Sequence, residues 1–121
     1  GRYVVLVIAH SEVGVDIQEE KPCRREAMAK RFFATEEWQR IEACEPEAQK
    51  AALFYHIWCR KEAYGKYLGL GLGGNVLKTN VLQGVKDCYF QEYNDLENYQ
   101  ISICCGKEEK IEEVISVFEG L

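Results

Sequence analysis

The chain has little that would mark a membrane protein, a disulfide scaffold or a histidine-dependent enzyme. Across its 121 residues no apolar run approaches the ~18 needed to cross a bilayer, and no leader peptide is visible. It has no Cys-x-x-Cys pair of the kind used for zinc or redox work. Its six cysteines (Cys23, Cys44, Cys59, Cys88, Cys104, Cys105) fall mostly in apolar runs, two of them adjacent, so they read as buried, reduced thiols. That usage suits a cytoplasmic location. There are two histidines, His10 and His56, neither spaced from a serine or cysteine as a triad would require. Positive charge is also short: the net charge of −5 argues against general nucleic-acid binding. No internal repeat or low-complexity stretch appears. The chain lacks an initiator methionine and runs from Gly1 straight into strand-like residues, which predicts a fragment, a cleaved chain or one half of something larger.

What is present fits one globular domain over residues 1–121. The content is 47% hydrophobic and 12% aromatic, and a chain this long buries roughly two-thirds of its unfolded surface. Charge is uneven: residues 21–31 carry +4, which leaves −9 for the remainder.

Residues 2–9 read as a buried strand. Residues 12–18 alternate Val13, Val15 and Ile17 against Gly14, Asp16 and Gln18, the period of a half-buried strand with Asp16 and Gln18 together on the face away from the core. Pro22 opens a short basic helix reaching Phe33, with Ala27, Met28 and Phe32 apolar. Thr35 is expected to cap a second helix carrying Glu36 and Glu37 in its first turn and Trp38, Ile41 and Ala43 inside. Pro46 starts the longest helix, about residues 46–67, whose apolar side holds Ala51, Phe54, Tyr55, Trp58 and Ala63. It should stop at Gly69. Residues 76–82, 87–93 and 99–105 read as strands, and residues 112–118 lean the same way because Val114, Ile115, Val117 and Phe118 are poor helix formers. The fold class is therefore α+β, a mainly antiparallel sheet packed against a long helix.

Residues 69–74 spell Gly-Leu-Gly-Leu-Gly-Gly, a literal match to Gly-x-Gly-x-x-Gly. A dinucleotide fingerprint needs a strand before it and a helix after it, and here the order is reversed, so a helix stop and turn is the better account. Asp16, Glu62 and Lys66 form a stronger set. Glu62 and Lys66 lie one helical turn apart and share a face. A strand carboxylate meeting a helix carboxylate and a lysine suits magnesium and phosphate. Magnesium takes one or two protein carboxylates plus phosphate and water oxygens, and a nearby ammonium neutralises the remaining phosphate charge.

Three stretches occur together in order: Val13-Gly14-Val15-Asp16-Ile17; Lys30-Arg31-Phe32-Phe33 followed by Glu36-Glu37-Trp38; and Phe54-Tyr55-x-x-Trp58-x-x-Lys61-Glu62-Ala63-x-x-Lys66-x-x-Gly69-x-Gly71-Leu72. In order and spacing they resemble the 4′-phosphopantetheinyl transferases, in the surfactin-synthetase-activating form more than the short trimeric one. The resemblance implies Mg²⁺-dependent transfer of phosphopantetheine from coenzyme A, the co-substrate, to a serine of an acyl or peptidyl carrier protein, releasing 3′,5′-ADP. By motif position it implies Asp16 and Glu62 as metal ligands, with Gln18 standing where many relatives carry a third acid. It further implies Glu62 and Lys66 as catalytic, and Lys61 and Lys66 as cofactor-binding. The basic residues Arg24, Arg25, Lys30 and Arg31 would dock the acidic carrier. The larger relatives consist of two similar halves, and this chain resembles the C-terminal one. Self-association, or pairing with an N-terminal half, is then expected. The alternative is a noncatalytic half-domain that binds metal or a partner and needs that other half for activity.

Overall fold

The computed structural model describes residues 3–4, 7, 12–21, 25–106 and 118–119. The elements, in order, are β1 (Tyr3–Val4), β2 (Val13–Glu19), α1 (Arg25–Phe32), α2 (Thr35–Ala43), α3 (Glu47–Leu68), β3 (Tyr89–Tyr93), β4 (Tyr99–Cys105) and β5 (Phe118–Glu119). β1 and β5 pair antiparallel, and β2, β4 and β3 form an antiparallel sheet with β4 in the middle. The fold is α+β, with α3 laid across that sheet.

Register explains how the sheet is shared. Gly14, Asp16 and Gln18 of β2 stand opposite Cys104, Ser102 and Gln100 of β4, so these small and polar residues share one face. α3 packs on that face: the Cys59 thiol donates to the carbonyls of Asp16 (3.2 Å) and Gln100 (3.3 Å). Val13, Val15 and Ile17 occupy the other face with Tyr93, Ile101 and Ile103. Asp16 and Gln18 therefore do share a face, but that face meets the long helix instead of pointing away from the core, and Asp16 is buried. Alternation locates a face without saying what covers it.

The main core lies among the helices. Phe33, Phe54 and Trp58 stack in parallel, with ring centroids 5.4–6.2 Å apart, over Ala29, Ile41, Ile57 and Val81. Phe33 is the inward residue of its pair; Phe32, one of the apolar residues of the basic helix, is exposed, as are Ala27 and Ala43. Ala34, not Thr35, is the N-cap of α2, and the Glu37 carboxylate reaches back to accept its backbone N–H at 3.0 Å. α3 ends at Gly69, whose φ of 73° is the left-handed conformation that glycine adopts without strain.

Residues 76–82 are not a strand. Turn bonds take the N–H groups of Val76, Lys78 and Thr79, which donate to the carbonyls of Gly73 and Asn75, and side chains take the groups that follow: the Thr79 and Val81 carbonyls accept from Lys61 (2.7 Å) and Arg60 (2.6 Å), and the Val81 N–H donates to Glu37 (3.0 Å). With those groups satisfied, no neighbouring strand is needed. Residues 69–74 form turns after a helix, as expected. β3 starts at Tyr89, since Asp87 has a φ of 62°. Most of the strands read at residues 2–9 and 112–118 lies outside the described residues, as do His10, Pro22, Cys23 and Arg24. Cys44, Cys59, Cys88, Cys104 and Cys105 are free thiols. No described helix is long and apolar enough to cross a membrane.

Candidate active site

β2 and the last turns of α3 can face each other closely because Gly14 has no side chain. A Cβ there would lie 1.9 Å from the Ala63 carbonyl oxygen and 2.6 Å from the Tyr67 nitrogen, both on the backbone of α3. This approach brings Asp16, two residues along the same face, against the turn that bears Glu62 and Lys66.

The Lys66 ammonium lies 2.8 Å from Oδ1 of Asp16 and 3.2 Å from the Val15 carbonyl. The Gln18 amide donates to Oδ2 of Asp16 at 2.7 Å. Both oxygens of this buried carboxylate are thus engaged. Glu62 is half-buried, and burial pushes its carboxyl above the ordinary 4.5; the Asp16 charge pushes the same way and Lys66 opposes both. The Lys66 ammonium is thus ion-paired with Asp16, and Glu62, one helical turn before Lys66, feels both charges. Among the described residues no group of three or more His, Cys, Asp or Glu side chains converges on a point. A hard cation here would draw its other oxygens from water or phosphate, the coordination typical of magnesium. The donor set, two carboxylates with an amide beside them, fits that ion.

The raised Glu62 carboxyl has a measurable consequence. Between 4.5 and its raised value the folded chain keeps a proton that the unfolded chain has released, so stability falls as pH rises through that window. Glu62→Gln, which carries no charge, is expected to unfold at a higher temperature than wild type in metal-free buffer at neutral pH. The margin should shrink toward pH 4 in melts followed by circular dichroism.

Other residues singled out in the sequence lie elsewhere. Lys61 is wholly buried, bonded to Glu37 at 2.6 Å and to the Thr79 carbonyl, with its ammonium 4.9 Å from the centre of the Phe33 ring. Burial lowers its pKa while Glu37 pulls the other way. It does not join the Asp16–Glu62–Lys66 group. Arg25 is ion-paired with Glu47 and little exposed, whereas Lys30 and Arg31 face solvent, Arg31 lying over the Phe32 ring. His56 contacts Glu92, which Arg60 also grips, and burial keeps the imidazole below its usual pKa. Gly14 and Glu37 were missed as structural determinants. Both had signals: a glycine two residues before the acid on one strand face, and a glutamate three residues after Ala34.

A model of the 4′-phosphopantetheinyl transferase superfamily matches residues 12–116, a span that contains β2, all of α3 and the Asp16–Glu62–Lys66 group. The chain belongs to that superfamily. A 4′-phosphopantetheinyl transferase of Bacillus subtilis is 30% identical over 119 residues, covering 88% of this chain and 52% of the relative. The 4′-phosphopantetheinyl transferase psf-1 of Bacillus pumilus is 31% identical over 127 residues (94% and 53%). The 4′-phosphopantetheinyl transferase Sfp of Bacillus subtilis strain 168 is 26% identical over 129 residues (97% and 57%). The chain thus spans about half the length of these transferases.

Proposed function

We propose that this chain is one catalytic domain of a 4′-phosphopantetheinyl transferase, moving phosphopantetheine from coenzyme A to a serine hydroxyl of a carrier protein and releasing 3′,5′-ADP. The observation that carries this reading is the pairing of Asp16 with Lys66 across the β2–α3 contact, on the stretch of helix that also bears Glu62, within a superfamily match that spans it. Asp16 and Glu62 would hold Mg²⁺, with Gln18 beside them. When bound, that ion would neutralise charge on the pyrophosphate.

The remaining steps belong to the chain's own groups. Lys66, half-exposed, meets the phosphate oxygens and offsets the charge that develops on the leaving group. Glu62, its carboxyl raised by burial and by Asp16, accepts the proton of the attacking serine hydroxyl. Phosphoryl-group transfer depends on such positioning and charge neutralisation more than on covalent chemistry. On the surface of α1, exposed Lys30 and Arg31 offer charge to an acidic carrier. Arg25 is committed to Glu47 and contributes less.

Incubation with coenzyme A, Mg²⁺ and an apo carrier protein, read by intact mass, tests this reading. The carrier should gain one phosphopantetheine group, and Asp16→Asn or Glu62→Gln should lower the rate at least about 10²-fold, the usual loss when a key charge-stabilising group is removed. Because the chain covers 52–57% of these transferases, a second reading is a metal-binding unit that transfers only with further polypeptide present. Metal binding by the chain without carrier modification would favour it.

A further inference from the structure

We propose that Lys66 is a tethered counter-ion for Asp16, occupying the place of a divalent cation until that cation arrives and then swinging out to the phosphate. The inference rests on the reading that Asp16 and Glu62 hold the metal.

The pairing is lopsided in a way that fits exchange. Asp16 is the buried partner, its side chain 8% exposed, whereas the Lys66 side chain is 51% exposed. A buried carboxylate needs a counter-charge far more than a half-exposed ammonium does. The other cations on nearby turns of α3 are committed: Lys61 to Glu37 and Thr79, and Arg60 to Glu92 and Val81. Lys66 therefore supplies Asp16 with its positive charge, reaching from the last turn of α3 on a flexible four-carbon stem.

Each oxygen of Asp16 is met by a nitrogen donor. Oδ1 faces the Lys66 ammonium at 2.8 Å and Oδ2 faces the Gln18 amide nitrogen at 2.7 Å. Neither nitrogen can ligate a hard cation, because an ammonium and an amide NH₂ have no lone pair to offer. A divalent ion that takes the ammonium's place at Oδ1 displaces Lys66, and Gln18 offers that ion an oxygen only once its amide turns over. The displaced ammonium remains tethered beside the new ion and is free for an anion. One lysine thus serves two states, neutralising the empty site and then a bound phosphate.

Mn²⁺ alone is the probe, its free concentration followed by electron paramagnetic resonance with the whole chain and no coenzyme A. Lys66→Met is expected to tighten Mn²⁺ binding about three- to tenfold, the equilibrium equivalent of losing one competing ion pair. Lys66→Arg, which keeps a cation within reach of Oδ1, should stay within about twofold of wild type. The gain should persist at about 1 M salt, where charges more than about 3 Å apart are screened from each other, and should vanish in an Asp16→Asn background. Detectable binding by Lys66→Met with none by wild type would also support displacement. The proposal is overturned if Lys66→Met leaves the affinity unchanged, or if its gain disappears at high salt, since the lysine would then act only as a distant charge. Equal binding by wild type and Asp16→Asn, or binding by no variant, overturns the metal assignment and this proposal with it. Failure of displacement alone leaves that assignment standing.

Discussion

Lys61→Met is expected to destabilise the domain by about 3–5 kcal/mol, the usual penalty for stripping one partner from a buried ion pair. Lys61 and Glu37 are both 0% exposed and 2.6 Å apart. Without the ammonium, the Glu37 carboxylate keeps the backbone N–H groups of Ala34 and Val81, each at 3.0 Å, but has no counter-charge. The Thr79 carbonyl also loses its 2.7 Å donor, and Phe33 loses the cation over its ring. The pair fastens the start of α2, the middle of α3 and residues 79–81 together, so its loss is felt in all three. Adding Glu37→Gln to Lys61→Met should recover part of the loss, because a neutral amide still accepts a backbone bond without a buried charge. A double-mutant cycle in urea, monitored by tryptophan fluorescence, measures this coupling. A loss under about 1 kcal/mol for Lys61→Met would show that the pair is hydrated and that its burial contributes little.

That clasp also shows where the sequence stops being informative. Lys61 stands beside Glu62 in the matched motif, and the resemblance implied a cofactor-binding role for it. On a helix, neighbours point about 100° apart, so Lys61 turns into the core while Glu62 turns toward β2. Local pattern was enough for β2, for α3 within one residue at each end, and for the stop at Gly69, because alternation, length and a left-handed glycine are written within a few residues of one another. The Asp16–Lys66 contact lies beyond local pattern: alternation and helical spacing each define a face, and only the resemblance of the combined motifs joined the two. Local pattern failed at residues 76–82. Their β-branched content suits a strand, yet Lys61, Arg60 and Glu37, far away in the chain, claim the backbone groups a neighbouring strand would have used. It failed likewise at Phe32 and Phe33, where either ring could have faced in. The choice is made by stacking on Phe54 and Trp58, and no local rule encodes that contact. The polar face of β2 misled for the same reason: Asp16 looked solvent-facing because nothing nearby shows that α3 covers it.

Gly14→Ala should be among the most damaging single-methyl changes in the protein, and for function more than for stability. The new Cβ would stand 1.9 Å from one α3 backbone atom and 2.6 Å from another. Neither atom belongs to a flexible side chain, so the helix must move bodily by an ångström or more. Overpacking of this kind costs about 1–3 kcal/mol. The shift also carries Glu62 and Lys66 away from Asp16, and misplacement by about 1 Å can cost about 10²-fold in rate. The proposed transfer should therefore fall by about that factor, and Mn²⁺ affinity should fall with it, while the chain still folds. Ile103→Val supplies the control. It trims the opposite face of the same sheet, where Ile103 packs with Tyr93 and Ile101, and should cost about 0.5–1.5 kcal/mol without touching the β2–α3 contact. If the two variants lost transfer activity in proportion to their lost stability, the close approach at Gly14 would be a matter of packing alone. A steep loss of rate and metal affinity in Gly14→Ala, with Ile103→Val near wild type, would mean that the absent side chain sets the distance between the strand carboxylate and the helix groups that work with it.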